Sequence, residues 1–102
     1  MSAASISLAP SGELLLAGVL DYRSGPALRE AGGKLIAKHE AAALTLNCAA
    51  VEKSSSVGLS LLLAFMRDAQ AAGKSLVVCK LPTDMREIAQ VCGLAEVLPL
   101  QA

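Results

Sequence analysis

Aromatic residues are nearly missing from this sequence: Tyr22 and Phe65 are the only two, and there is no tryptophan. A surface that stacks on nucleotide bases needs several aromatic faces, so a single strand of nucleic acid has no platform here. Charge of one sign is missing too. Nine basic residues balance nine acidic ones, and no basic field is left to condense on a phosphate backbone, so no nucleic-acid partner is expected. Long hydrophobic runs are also lacking. The longest apolar stretch, Leu59 to Met66, is interrupted by Ser60 and falls far below the roughly 20 residues that span a bilayer. No direct membrane insertion is expected. The start, Met1 to Pro10, has neither the positive region nor the apolar core of a secretory signal, which points to the cytoplasm.

Chemistry is as sparse as charge. The single histidine, His39, sits at the polar end of a helical segment beside Lys38 and Glu40. It is expected to be solvated there, without the nucleophile and orienting group that a triad requires. No glycine-rich phosphate loop follows a strand, no HExxH motif occurs, and no carboxylate cluster forms a metal cage. Cys48, Cys79 and Cys92 are widely spaced within apolar stretches, so they read as buried, reduced thiols rather than as a disulfide or zinc framework. A catalyst built on one of these thiols is the remaining enzyme reading, and no neighbouring residue gives a cue for a lowered thiol pKa. The expectation is a protein that is not an enzyme, with no cofactor and no metal.

What is present is apolar. At 102 residues and 54% apolar composition, the chain suits one domain, spanning 1–102, with a single core. Short apolar runs at Ile6–Leu8 and Glu13–Leu20, split by Pro10-Ser11-Gly12, read as two neighbouring strands, the second buried on both faces. From Ser24 the apolar period becomes helical through Leu28, Ala31, Leu35 and Ile36, with Gly32 and Gly33 weakening the helix. Ala43–Cys48 reads as a central strand, and Glu52–Ser56 as a polar joint whose hydroxyls cap a second helix running to Gly73. Ser75–Lys80 is a further strand. Thr83 caps a third helix that carries Met85, Ile88, Ala89 and Cys92 on one face and ends at Gly93, and Ala95–Pro99 could add an edge strand. The order β-β-α-β-α-β-α predicts an α/β fold: a mixed sheet of four to five strands with helices packed against it.

Two features rise above this background. The serine run Ser54-Ser55-Ser56 opens the second helix, where unpaired N–H groups favour a capping oxygen or a phosphate on Ser55 or Ser56. On the second helix, Leu59, Leu62, Leu63, Met66 and Ala69 form a stripe facing the sheet, leaving Leu61 and Phe65 on another face. Either neighbouring elements bury that face, or it belongs to an exposed patch bordered by Ser60, Arg67 and Asp68.

The residues Gly18-Val19-Leu20-Asp21 at a strand end, followed by a helix and then Ser54-Ser55-Ser56-Val57-Gly58-Leu59, resemble the STAS domain family over nearly the whole chain. That resemblance implies a small mixed sheet covered by helices, acting by docking onto partners through the strand-to-helix corner. In the anti-sigma factor antagonists of this family the pattern is Asp-Ser-Ser-Gly-Leu, and the serine before the glycine accepts phosphate. Here Val57 holds that position and Ser55 stands in place of the Asp, so regulation of that kind would fall to Ser55 or Ser56. The Asp-Thr-Gly-Gly-Leu pattern of MlaB-type subunits places its hydroxyl on Ser56, and Leu59-Ser60-Leu61-Leu62-Leu63 and Gly93–Pro99 are similar to that branch as well. The resemblance implies a non-catalytic subunit bound to an MlaF-like cytosolic ABC ATPase in a phospholipid-transport complex at the inner membrane. The residues expected to contact the partner are Asp21, Ser54, Ser55, Ser56, Val57, Leu61 and Phe65.

Overall fold

The computed structural model describes residues 4–94 and Leu98. Its elements are β1 (Ser5–Leu8), β2 (Leu14–Leu20), α1 (Gly25–Lys38), β3 (Ala43–Ser54), α2 (Ser56–Ala71), β4 (Ser75–Cys79) and α3 (Thr83–Val91). The sheet order is β1-β2-β3-β4. β1 pairs antiparallel with β2, and the β2–β3 and β3–β4 pairs are parallel. A two-strand hairpin therefore feeds two β-α-β crossovers, as the alternating pattern predicts. The expected edge strand at 95–99 lies outside the described residues.

Period two governs the sheet, and it corrects one expectation. Leu14, Leu16, Gly18 and Leu20 of β2 are buried, whereas Leu15, Ala17 and Val19 between them are only half-buried. The strand is thus covered by helices on one face, not on both, despite its continuous apolar sequence. Leu44, Leu46 and Cys48 of β3 and Leu76 and Val78 of β4 join the covered face.

The longest departure is β3, which does not stop at Cys48 but runs to Ser54. Its extension follows β2: Ala50, Val51, Lys53 and Ser54 stand opposite Ala17, Gly18, Val19 and Leu20, with two register shifts along the way. The polar residues Glu52 and Lys53 read as a joint because composition does not report backbone pairing with a neighbouring strand.

The helices pack on the covered face and on each other. Phe65 is 1% exposed and Leu61 4%, so neither belongs to an open surface. Both point into the layer between α1 and α2, and a Cβ on Gly32 would collide with the Phe65 ring. Gly32, which by propensity only weakens α1, is what lets the two helices close over Phe65. At the third helix, Pro82 is the N-cap and Thr83 the first helical residue. Cys92, expected on the buried face, is exposed because it follows the last helical residue.

Candidate functional site

The strand-to-helix corner lies where β2 and β3 end side by side, Leu20 opposite Ser54. Two short connections leave it, one into α1 and one into α2, so both helix N-termini open at the same end of the sheet. Crevices at the carboxyl ends of parallel strands are common places for recognition, because loops there are free of the ladder.

Each connection is fixed by a side chain turned back on its own backbone. Asp21 Oδ1 accepts from the N–H groups of Arg23 at 2.9 Å and Ser24 at 3.1 Å. Ser24 Oγ donates to Val19 O at 2.9 Å and accepts from Asp21 N–H at 3.1 Å. The Asp21 carboxylate therefore shapes the turn, and its role at the corner is first of all to hold Tyr22 and Arg23 outward. On the second connection, Ser55 N–H donates to Leu20 O at 3.0 Å. Ser55 Oγ accepts from Val57 N–H at 3.2 Å and so caps α2. This is the capping that the serine run predicts, and it falls on Ser55.

The three serines divide the work. Ser54 is buried, and its hydroxyl donates to Ser55 O at 2.7 Å. It sits under Gly58, where a Cβ would run into Ser54 Oγ and press on Leu20 and Met85. Ser54 is thus part of the corner's foundation and not of its surface. Ser55 and Ser56 are both exposed, and the Ser56 hydroxyl takes part in none of the corner's turn bonds. Val57 is half-buried and leans on Gly25 at the start of α1, where a Cβ would stand 3.1 Å from its Cγ1.

Of the residues expected to contact a partner, the structure brings Asp21, Ser55, Ser56 and Val57 together at one accessible corner. Ser54, Leu61 and Phe65 lie beneath it. Phe65 is removed from the accessible set because α1 covers it, the first of the two alternatives its helical spacing allows, and Leu61 keeps only an edge at the floor of a groove between α1 and α2. Sequence reasoning missed Ser24 and Tyr22. Ser24 follows Asp21 by three residues, the spacing of a side-chain-closed turn. Tyr22 is 72% exposed, and its signal was an aromatic standing in a turn rather than within an apolar run.

The histidine is not simply solvated. His39 Nδ1 accepts from Ala41 N–H at 3.0 Å, which leaves Nε2 to donate to Gly12 O at 2.9 Å. It ties the β1–β2 turn to the end of α1, at the opposite end of the sheet from the corner. Burial pushes the Cys48 thiol up to about 12, with Cys79 adding to the effect, so Cys48 stays protonated and unreactive at neutral pH. Among the described residues, no three histidine, cysteine or acidic side chains gather where they could hold a metal. Among them, no helix is long and apolar enough to cross a membrane.

A four-stranded mixed sheet with its helices on one face, and a serine corner between β3 and α2, defines a protein of the STAS class. Solved structures agree on the fold. An anti-sigma factor antagonist from Mycobacterium paratuberculosis superimposes with a TM-score of 0.75 at 25% identity, covering 96% of this chain and 83% of that one. The unphosphorylated antagonist SpoIIAA gives 0.72 at 18% identity, covering 97% and 86%. The phosphorylated form of Bacillus SpoIIAA gives 0.66 at 20%, covering 97% and 89%. Among curated protein sequences, none matches at a significant level. The family model described as "Mlab, STAS domain" matches residues 6–100. The chain belongs to that family.

Proposed function

We propose that this protein is a non-catalytic accessory subunit that docks on the cytosolic ATPase of an ABC-type phospholipid-transport complex of the Mla kind. In this reading it is cytoplasmic, lies at the inner membrane only through its partner, and serves the maintenance of outer-membrane lipid asymmetry. It binds neither ATP nor lipid itself. The observation that carries the reading is Val57. It occupies the place of the phosphate-accepting serine of the antagonists, has no hydroxyl, and is packed against Gly25. A corner built this way supports constant docking better than a phosphorylation switch. The family match over residues 6–100 supports the same choice.

The test is isolation of the tagged chain from its own cells, followed by titration of the ATPase that accompanies it. Ser56→Glu places a charge on the exposed start of α2 and is expected to weaken that complex by about tenfold or more, with the fold intact. Wild-type affinity in this variant would remove the corner from the interface.

A second reading, an anti-sigma factor antagonist regulated by serine phosphorylation, is favoured by the likeness in fold to the anti-sigma factor antagonists SpoIIAA and that of Mycobacterium paratuberculosis. It requires the phosphate on Ser55 or Ser56. Intact mass after incubation with a cognate anti-sigma kinase decides it: a gain of one phosphate that Ser55→Ala or Ser56→Ala abolishes supports the antagonist, and an unchanged mass rejects it.

A further inference from the structure

Beside the corner, between the first turns of α1 and α2, runs an open groove of ≈ 260 Å³ lined by Tyr22, Gly25, Pro26, Val57, Leu61 and Ala64, with Arg29 and Ser60 at its borders. Its floor is apolar and rigid. Leu61 is nearly buried, and Pro26 and Gly25 begin a helix. The rim is different. Tyr22 stands 72% exposed, and the Arg23 guanidinium lies over its ring at 5.5 Å from the centroid, with Nε donating to the Tyr22 hydroxyl at 3.2 Å. This pairing sets an exposed aromatic ring and a guanidinium side by side at the groove's mouth.

Charge completes the picture. Arg29, at the far border, is paired with Asp68, and Glu30 with Lys34. Asp21, two residues before Arg23, has Oδ1 turned onto backbone N–H groups of its own turn. Among the described residues Arg23 has no carboxylate partner, so the mouth of the groove presents one positive charge beside an aromatic wall. Tyrosine and arginine around an apolar pocket are the residue types that concentrate binding energy in protein interfaces.

We propose that this groove receives an apolar side chain of the docking partner, and that a carboxylate next to that side chain on the partner meets Arg23. The assignment rests on the docking reading above and names the chemistry of the segment that docks: an apolar anchor flanked by an acid. The Ser55–Val57 corner and the groove share Val57, so a single loop or helix of the partner reaches both.

The test titrates the ATPase that copurifies with the full chain against four variants: Tyr22→Ala, Arg23→Glu, Ser60→Trp, which fills the groove, and Ser56→Glu. All four positions are exposed, and unchanged melting temperatures establish that each variant folds. The groove assignment expects Tyr22→Ala and Ser60→Trp each to weaken binding by about tenfold, and Arg23→Glu, which sets a negative charge against the partner's carboxylate, to weaken it more than either. Near wild-type affinity in the groove variants, with Ser56→Glu still disruptive, overturns the groove and leaves the corner in place. Wild-type affinity in all four overturns both. A chain that self-associates alone and loses that association in Ser60→Trp gives the groove to a second copy and also overturns the assignment.

Discussion

Lys74 and His39 close one end of the sheet, Asp21 and Ser55 the other, and the two pairs do so by different means. Where the strands begin, Lys74 Nζ donates to the carbonyls of Ile36 at 2.7 Å and Ala37 at 3.3 Å, and also to that of His39. His39 in turn reaches Gly12. Residues far apart in sequence are locked together there, and the carbonyl end of α1, which favours a cation, receives one. Where β2 and β3 end, most side-chain bonds close within a turn: Asp21 to Arg23 and Ser24, Ser55 to Val57. Local closure shapes the corner while leaving Ser55, Ser56 and Tyr22 facing outward. One end is consumed by the fold and the other stays open to solvent, which is why the proposed docking surface is assigned to the corner.

Both ends depend on the α1–α2 layer that joins them, so the largest effect is expected from its central ring. Phe65→Ala opens a cavity under Gly32 and should lower stability by about 3–5 kcal/mol in urea unfolding. A loss below about 1 kcal/mol would mean that Phe65 is a surface residue and that the layer is not continuous. Next comes the locked end. Lys74→Met keeps most of the aliphatic stem, removes the donors to three carbonyls, and should cost about 1–2 kcal/mol by the same measurement. Affinity for the ATPase should be unchanged. A variant that folds as well as wild type but binds poorly would reverse the assignment of the two ends.

How far the sequence carries this comparison depends on the kind of signal each residue leaves. The order of elements and the helix-capping serines were legible, because period 2, period 3.6 and turn residues are local properties. The length of β3 was not, since Glu52 and Lys53 belong to a strand only through the partner strand beside them. Leu61 and Phe65 showed that a second face of α2 needed a cover, but whether α1 or a partner supplied it turned on Gly32, whose meaning is a contact 33 positions away in sequence. His39 misled for the same reason. Its neighbours Lys38 and Glu40 suggest solvent, and its partner Gly12 comes from another turn. At the corner, the site was legible as a place, whereas the division of labour among Ser54, Ser55 and Ser56 required the backbone.

That division gives the smallest and sharpest test. Ser55→Ala removes the cap of α2 and should lower stability by about 1 kcal/mol. Ser56→Ala removes an exposed hydroxyl outside the turn bonds and should change stability by less than about 0.5 kcal/mol. Binding should rank the two the other way if Ser56 is the hydroxyl that meets the partner: Ser56→Ala weakens the ATPase complex by a few fold, and Ser55→Ala acts only through the frayed first turn of α2. Hydrogen exchange separates these causes, because fraying raises exchange at the α2 N-terminus in Ser55→Ala and not in Ser56→Ala. Equal exchange in both, or a loss of stability in Ser56→Ala as large as in Ser55→Ala, would show that the corner holds itself together with both hydroxyls and leaves neither free for recognition.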